Sequence, residues 1–266
     1  MPQTPAALNA DPWWTLTRGG GPVLATAIHD GHAVRAALQG RFALGDAGRL
    51  REEDPFTGEA ISAAPNRLVA HRSRFEVDLN RSLDEAVYET PEQCWGLEVW
   101  RSPLTADEVE ASRQYHRRFY AQVEQVLGQM AADHPRFAVL DVHSYNHRRD
   151  GPDGPPTPQA DAPDINIGTF SMPRERWAGV VDPLMEALAA HDFNGRRLDV
   201  RENVAFQGRG ELTRFAHAKW PEQGCAIAFE FKKFFMDEWT GEPDPAEVEA
   251  MRGLIAHAVR TLERLL

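Results

Sequence analysis

Short, nearly continuous apolar runs along the chain predict buried β-strands. The clearest of these runs cover residues 23–28, 137–142 and 225–231. Runs of this kind are typical of the central strands of an α/β sheet, which helices cover on both faces. Residues 67–79 alternate between apolar and polar side chains, and this alternation predicts a longer strand with one wetter face.

Helical capping residues lie between the apolar runs. Thr105 and Glu108 are spaced as a capping box, which predicts that a helix begins at this point. Near the C-terminus, Asp244 is suited to an N-cap and Pro245 to the first helical position, so a second helix is expected there. Residues 177–188 indicate a third helix.

The interspersed strands and helices predict one α/β domain with helices on both faces of a central sheet. We expect this domain to cover residues 1–266, with residues 1–20 as an extended N-terminal segment. Residues 150–163 are rich in proline, glycine and aspartate, and this composition predicts a loop. Because strand-like runs continue after it, we expect the loop to lie within the domain.

Charge limits the classes of partner that the protein can have. The 266 residues include 29 Lys and Arg against 40 Asp and Glu, a formal net charge of −11. Such an excess of carboxylates repels phosphate backbones and argues against a general nucleic-acid or anionic-membrane binder. The sequence contains no run of about 18 consecutive apolar residues, so it predicts no membrane span. The N-terminus lacks the features of a secretory signal. We therefore expect a cytoplasmic protein.

Cysteine is too scarce to build a metal site in this chain. The two cysteines, Cys94 and Cys225, cannot form a disulfide framework or a Cys-rich zinc module. Cys225 begins an apolar run, as a buried structural cysteine would, and no partner base can be named for Cys94. A cysteine nucleophile is therefore disfavoured, and the ten histidines become the more interesting candidate ligands.

Reactive side chains stand at the ends of the predicted strands, where open α/β sheets bind their ligands. The first apolar run leads to His29, the central run leads to His143, and Glu230 lies inside the third. The alternating run 67–79 leads to Arg81. Each of these residues alone could be structural, but buried ionisable groups are costly and cluster at functional sites. We therefore predict that they share one site.

Longer strings around these residues occur in a specific order between residues 20 and 242. They are Ile28-His29-Asp30-Gly31, Glu53-Asp54-Pro55, Ser73 to Arg81, Asp141-Val142-His143-Ser144-Tyr145, Asp164 to Thr169, Leu212-Thr213-Arg214 and Ala226 to Glu230. In this combination they resemble the N-formylglutamate amidohydrolase family, which belongs to the zinc carboxypeptidase-like hydrolases. The resemblance implies a three-layer α/β/α fold with a central mixed sheet, of the phosphorylase/hydrolase-like type.

Two features depart from the family pattern. Asp30 follows the first histidine, where the family usually has a small residue or proline. The segment 82–104, with Trp95 and Trp100, does not match a formylglutamate hydrolase. The substrate pocket could therefore differ while the metal chemistry is kept.

The resemblance implies one catalytic Zn²⁺ per chain, bound by His29, His143 and a carboxylate. Such a site needs about three protein ligands and an open position for water. Asp54 is the preferred third ligand, and Glu53 and His32 are the alternatives. Histidine and carboxylate ligands also admit other divalent metals.

Further roles follow from the same resemblance. Glu230 would act as general base toward the zinc-activated water, and Arg74 would support the oxyanion or the substrate. Asp141 could orient a ligand histidine. Arginine pairs bidentately with carboxylates, although any one arginine could instead form a structural salt bridge. The expected substrate-binding residues are Asn80, Arg81, Arg214 and Tyr145.

These features together predict a metal-dependent amidohydrolase that cleaves the amide of an N-formyl- or N-acyl-amino acid, similar to N-formylglutamate. Its partner would be a small anionic substrate, with no nucleic acid or membrane involved. One alternative is a zinc carboxypeptidase acting on a peptide C-terminus, which is favoured if Trp95 and Trp100 line the cleft. The other alternative is a non-catalytic zinc- or ligand-binding homologue.

Overall fold

The strands join into one mixed sheet in the computed structural model, which describes residues 13–266. Each predicted apolar run forms a strand that is buried along its whole length, so these predictions are confirmed. The strands are β1 Trp14–Thr17, β2 Val23–Ala27, β3 Asn66–Ala70, β4 Phe137–Tyr145, β5 Ile165–Gly168, β6 Val200–Glu202 and β7 Gly224–Lys232.

The strand order is β1-β3-β2-β4-β7-β5-β6. Strands β3, β2, β4 and β7 run parallel to one another, whereas β1 and β5 are antiparallel to their neighbours β3 and β7. In the register of the two central strands, His143 of β4 lies opposite Glu230 of β7. The carboxyl ends of β2, β4 and β7 therefore meet at one edge of the sheet.

Helices cover both faces of this sheet, which confirms the predicted three-layer α/β/α architecture. The helices are α1 Ala36–Gln39, α2 Asp46–Glu52, α3 Thr57–Ala60, α4 Ala106–Asp133, α5 Ala178–Ala190, α6 Glu211–Lys219 and α7 Pro245–Leu265. One face of the sheet packs against α3, α5 and α7, and the other packs against α4 and α6.

The predicted helix starts are confirmed at atomic detail. Thr105 caps α4: its side chain accepts a hydrogen bond from the Glu108 amide, and the Glu108 carboxylate accepts one from the Thr105 amide at 2.7 Å. Asp244 caps α7 by accepting from the amides of Ala246 and Glu247. These bonds satisfy amide groups that have no partner inside the helix.

One prediction about the strands is wrong. The alternating segment 67–79 is a strand only as far as Ala70, and beyond that point the Ser73 carbonyl accepts from Glu76 and Val77 in successive turns. Residues 1–12 of the predicted extended N-terminal segment lie outside the described residues, and in the rest of that segment Trp14–Thr17 is a strand that pairs with β3. The predicted loop at 150–163 is confirmed, since it contains neither helix nor strand. Within residues 13–266, no helix has both the length and the apolar character needed to cross a membrane.

Candidate metal centre and cleft

Three adjacent strands bring the predicted site residues to one edge of the sheet. His29 follows β2 by two residues, His143 lies near the end of β4, and Glu230 lies opposite it in β7. Asp54 comes from the turn after α2, and its backbone amide donates to the His29 carbonyl at 2.9 Å. That hydrogen bond holds the turn against the end of β2.

The side chains of His29, Asp54 and His143 form a buried cluster, here called the triad. Asp54 Oδ2 lies 2.9 Å from His143 Nδ1 and 3.4 Å from His29 Nδ1. One ligand atom from each residue lies within 4.8 Å of the others. This spacing allows all three to contact a single ion.

The outer nitrogen of each histidine faces a second carboxylate. His29 Nε2 donates to Asp78 Oδ1 at 2.7 Å, and His143 Nε2 donates to Asp141 Oδ2 at 3.0 Å. A carboxylate can only accept, so Asp78 and Asp141 each hold a proton on Nε2 of the neighbouring ring. In the metal-free protein His143 Nδ1 also donates to Asp54 Oδ2, and its lone pair becomes available to a metal ion once that proton has left. Metal-binding histidines have this arrangement, in which the outer carboxylate sets the tautomer and the ring orientation.

The triad is suited to a cation. His29 Nδ1 is buried and has no hydrogen-bond partner within residues 13–266, and the Nδ1 atoms of two imidazoles and a carboxylate oxygen converge at this point. Burial alone would raise the pKa of Asp54, but the hydrogen bond from His143 and the neighbouring His29 imidazole hold it below its usual range. Burial alone would lower the pKa of His143, but the Asp141 charge holds it well above its usual range. The chemistry of the donor set therefore fits a divalent metal ion.

The two alternative third ligands are bound to each other, away from the triad. His32 Nδ1 donates to Glu53 at 2.5 Å, and Ser73 also donates to the Glu53 carboxylate. Arg49 lies 3.7 Å from the same carboxylate. Of the three candidates weighed from the sequence, only Asp54 faces the two histidines.

Glu230 lies beside the triad in a cleft of about 610 Å³. Its carboxylate makes no hydrogen bond or ion pair with any described residue. Burial raises the pKa of Glu230 to about 7. A carboxyl group with such a pKa can accept and release a proton near neutral pH. The neighbours Phe229 and Phe231 are buried in the core on the other face of the strand.

Two of the predicted arginines line the cleft, and they differ in whether a carboxylate neutralises their charge. Arg74 donates to Asp78 Oδ2 at 2.8 Å, so part of its charge is neutralised. The Arg81 guanidinium has no side-chain hydrogen bond or ion pair within residues 13–266. Arg81 therefore offers a free positive charge to an anionic ligand. Asn80 also lines the cleft, and its side-chain oxygen is buried without a hydrogen-bond partner among the described residues.

Of the other two predicted substrate-binding residues, one lies outside the cleft and the other has its hydroxyl group already hydrogen-bonded. Arg214 lies outside the cleft, 49% exposed, and donates to Glu211 at 2.5 Å. Its neighbour Thr213 lines the cleft instead, because successive residues of α6 point about 100° apart. Tyr145 does line the cleft, but its hydroxyl group already donates to the Pro163 carbonyl.

Sequence reasoning missed a buried lysine beside the triad. Lys233 is 1% exposed, and its ammonium donates to the carbonyls of Arg51 at 2.5 Å and Glu53 at 2.7 Å. Burial lowers the pKa of Lys233 to about 8. A lysine directly after the apolar strand was the signal that could have revealed it. Lys233 links the strand of Glu230 to the turn that carries Asp54.

The aromatic segment 82–104 contributes one of its two tryptophans to the cleft. Trp95 lines the cleft, whereas the Trp100 ring packs 4.4 Å from the Phe42 ring, and its Nε1 donates to the Tyr88 carbonyl. Cys94 is buried next to Trp95, and burial raises the pKa of its thiol to about 12. Such a thiol carries too little thiolate to act as a nucleophile.

Comparisons with known proteins identify a family and a shared fold. The family model described as N-formylglutamate amidohydrolase matches residues 21–236. The N-formylglutamate amidohydrolase of Ralstonia eutropha JMP134 superposes with a TM-score of 0.74 at 18% identity, over 95% of this chain and 98% of that one. A gene product of Agrobacterium tumefaciens superposes with a TM-score of 0.67 at 16% identity, over 94% and 96%. No curated protein matches the sequence. At these identities the two structures establish a shared fold.

Proposed function

The chain belongs to the N-formylglutamate amidohydrolase family, and from this membership we propose that it is a metal-dependent amidohydrolase. The proposed reaction is hydrolysis of the amide bond of an N-formyl- or N-acyl-amino acid. We also assign residues 1–266 to one catalytic domain, because every strand found within residues 13–266 belongs to one sheet.

The observation that carries the proposal is the convergence of two Nδ1 atoms and Asp54 Oδ2 beside an unpaired Glu230. We assign the triad of His29, Asp54 and His143 to one Zn²⁺ ion, since zinc favours nitrogen and carboxylate ligands in sites of this size. When bound, the ion would acidify a water molecule and polarise the scissile carbonyl group.

Glu230 has the proton-transfer role in this proposal. It would take a proton from the attacking water and deliver it to the nitrogen of the leaving amino acid. Its support is threefold: it faces the cleft, no residue within 13–266 competes for its carboxylate, and its pKa is raised to about 7. One carboxyl group can therefore act first as base and then as acid.

The arginines account for the anionic class of substrate. We assign Arg81 to the carboxylate of the amino acid, because its planar guanidinium is free to pair bidentately. Asn80 would donate its side-chain amide to the same group. Arg74 would stabilise the charge that develops on the carbonyl oxygen. This local positive charge lies within a chain whose formal net charge is −11.

A carboxypeptidase acting on a peptide C-terminus is the second candidate. Trp95 favours it, because this ring lines the cleft as a peptide-binding side chain would. Trp100 gives it no support, since it packs away from the cleft. The two candidates share the same metal, base and carboxylate-binding residues, and they differ in the acyl portion of the substrate.

The test combines metal analysis with a substrate screen. We expect about one zinc per chain in protein purified without chelators, and hydrolysis of at least one N-formyl- or N-acyl-amino acid. We expect Glu230→Gln to retain the metal and to lose turnover by about 10²-fold or more. Protein without bound metal, or a Glu230→Gln variant with near-normal activity, would overturn the assignment. Cleavage of peptides alone would favour the carboxypeptidase.

A further inference from the structure

Exposed apolar surface is concentrated at the rim of the cleft. Within residues 13–266, the exposed large hydrophobic side chains are Trp95, Phe170, Val204 and Phe206. Trp95 and Phe206 line the cleft itself. Val204 lies two residues before Phe206, and the Phe170 ring lies 3.9 Å from the guanidinium of Arg209, another residue of the cleft wall. Apolar patches gathered at one place on a surface mark binding sites.

Trp95 is held in the cleft at a conformational cost. Its backbone has a φ of 51°, in the left-handed region that bulky residues rarely occupy. The Arg74 guanidinium lies 4.9 Å from the Trp95 ring, and the side chain remains 48% exposed. Strained residues of this kind are found at ligand-binding sites, where the surrounding structure enforces them. The ring is therefore supported on one side and open on the other.

The two cleft aromatics flank the triad along the sheet edge. Trp95 contacts Arg74, whose partner Asp78 holds His29 at the end of β2. Phe206 lies on the other side: its carbonyl accepts from Asn166 of β5 at 2.7 Å. Since β4 and β7 lie between β2 and β5, a substrate centred on the triad has apolar surface available on either side.

We infer that the preferred substrate carries an aromatic or large aliphatic group that lies against Trp95, in addition to its carboxylate and amide. This inference rests on the proposed function and narrows its substrate class. N-formylglutamate offers no such group, because its acyl portion is a single carbon and its side chain ends in a carboxylate. The apolar group can belong either to the acyl portion or to the amino-acid side chain.

Three probes distinguish these sources: N-formylglutamate, N-benzoylglutamate and N-formylphenylalanine. The zinc-loaded protein is assayed for kcat/KM with each probe, and the dissociation constants are measured by calorimetry with the Glu230→Gln variant. Trp95→Gly removes the ring and also suits the left-handed backbone, so the variant should fold. Trp95→Phe retains an aromatic surface and serves as the matched control.

We expect at least one aromatic probe to exceed N-formylglutamate by about 10-fold or more in kcat/KM, as a filled apolar pocket allows. Trp95→Gly should abolish this preference and Trp95→Phe should keep most of it. A preference for N-benzoylglutamate places the apolar group in the acyl portion of the substrate, and a preference for N-formylphenylalanine places it in the amino-acid side chain. Equal or better turnover of N-formylglutamate, or a preference unchanged in Trp95→Gly, overturns the inference.

The binding measurements separate this inference from the proposed function. One possible result is that no probe is hydrolysed, but an aromatic probe binds more tightly than N-formylglutamate and loses this advantage in Trp95→Gly. In that case the apolar binding surface at Trp95 is supported and the proposed reaction is wrong. If hydrolysis occurs without any effect of Trp95 on preference or affinity, the reaction stands and the subsite is wrong.

Discussion

Replacing Asp78 by asparagine tests whether the outer carboxylates organise the metal centre. Asp78 is fully buried and accepts hydrogen bonds from His29 at 2.7 Å, from Arg74 at 2.8 Å and from the Asn80 amide at 2.8 Å. Tyr88 donates to the same carboxylate. Asp78→Asn keeps the shape of the side chain and removes its charge.

Two losses are expected from this change. The His29 ring is no longer oriented by a carboxylate, so metal affinity should fall by about 10- to 100-fold. Arg74, only 12% exposed, loses its ion-pair partner. Removing one member of a buried pair typically costs about 3–5 kcal/mol of unfolding free energy. We expect about 3 kcal/mol, the lower end of that range, because the asparagine oxygen can still accept one hydrogen bond.

Asp141→Asn is the matched control for the stability loss. Asp141 accepts from Thr26 at 2.6 Å and from His143 at 3.0 Å, and it has no arginine or lysine partner within the described residues. Its replacement should lower metal affinity by a similar factor. Its charged partner His143 can release its proton once the Asp141 charge is lost, whereas Arg74 beside Asp78 cannot. The unfolding free energy of the metal-free protein should therefore fall by about 1–2 kcal/mol, less than in Asp78→Asn.

Metal affinity is measured by competition with a chromogenic chelator, and stability is measured by urea unfolding in the presence of excess chelator. The expected pattern is weaker metal binding in both variants, with the larger loss of stability in Asp78→Asn. If both variants bind zinc as tightly as the unmodified protein, the carboxylates do not orient the histidines and the assignment of Nδ1 as the ligand atom is refuted.

Three further outcomes are expected. Lys233→Met leaves two backbone carbonyls beside Asp54 without a donor, and should lower the unfolding free energy in urea by about 1–3 kcal/mol; unchanged stability would contradict the linking role. Burial lowers the pKa of His217 to about 4, so the unfolded chain binds its proton more readily between about pH 4 and pH 6.5. Stability should therefore fall by up to about 3 kcal/mol as the pH drops through this window, and His217→Gln should flatten that dependence. Arg81→Ala should raise KM for an anionic substrate by about 10-fold or more, whereas Arg214→Ala, which lies outside the cleft, should leave KM within about twofold; equal effects would disprove the assignment of Arg81.

Elements whose stability comes from nearby residues could be predicted from the sequence. The strands around Ala25, Leu140 and Ile227 were predicted because long apolar runs must be buried on both faces of a sheet. Thr105 and Asp244 marked helix starts because an N-cap satisfies amides only two or three residues away. The family, too, was identified from short strings in order, and the family model confirms it.

A strand also needs a partner, and no local pattern supplies one. Residues 67–79 alternate like a strand, but β1 and β2 pair with this segment only between Asn66 and Ala70. The alternation of side chains carries no information about where those neighbouring strands end. Beyond Ala70 the buried side chains of Val77 and Leu79 pack against the helical layer instead. The chain leaves the sheet there and carries Asp78 to His29.

The composition of the site was likewise decided by distant contacts. Glu53 and Asp54 are adjacent carboxylates with equal capacity to bind a metal, and sequence could not choose between them. His32 and Ser73 bind Glu53 and turn it away from the triad, while the amide of Asp54 is held by the end of β2. The order of amino acids therefore established which chemical groups are present near the strand ends. Which of these groups converge depends on the fold, because hydrogen bonds between residues far apart in the chain set the direction of each side chain.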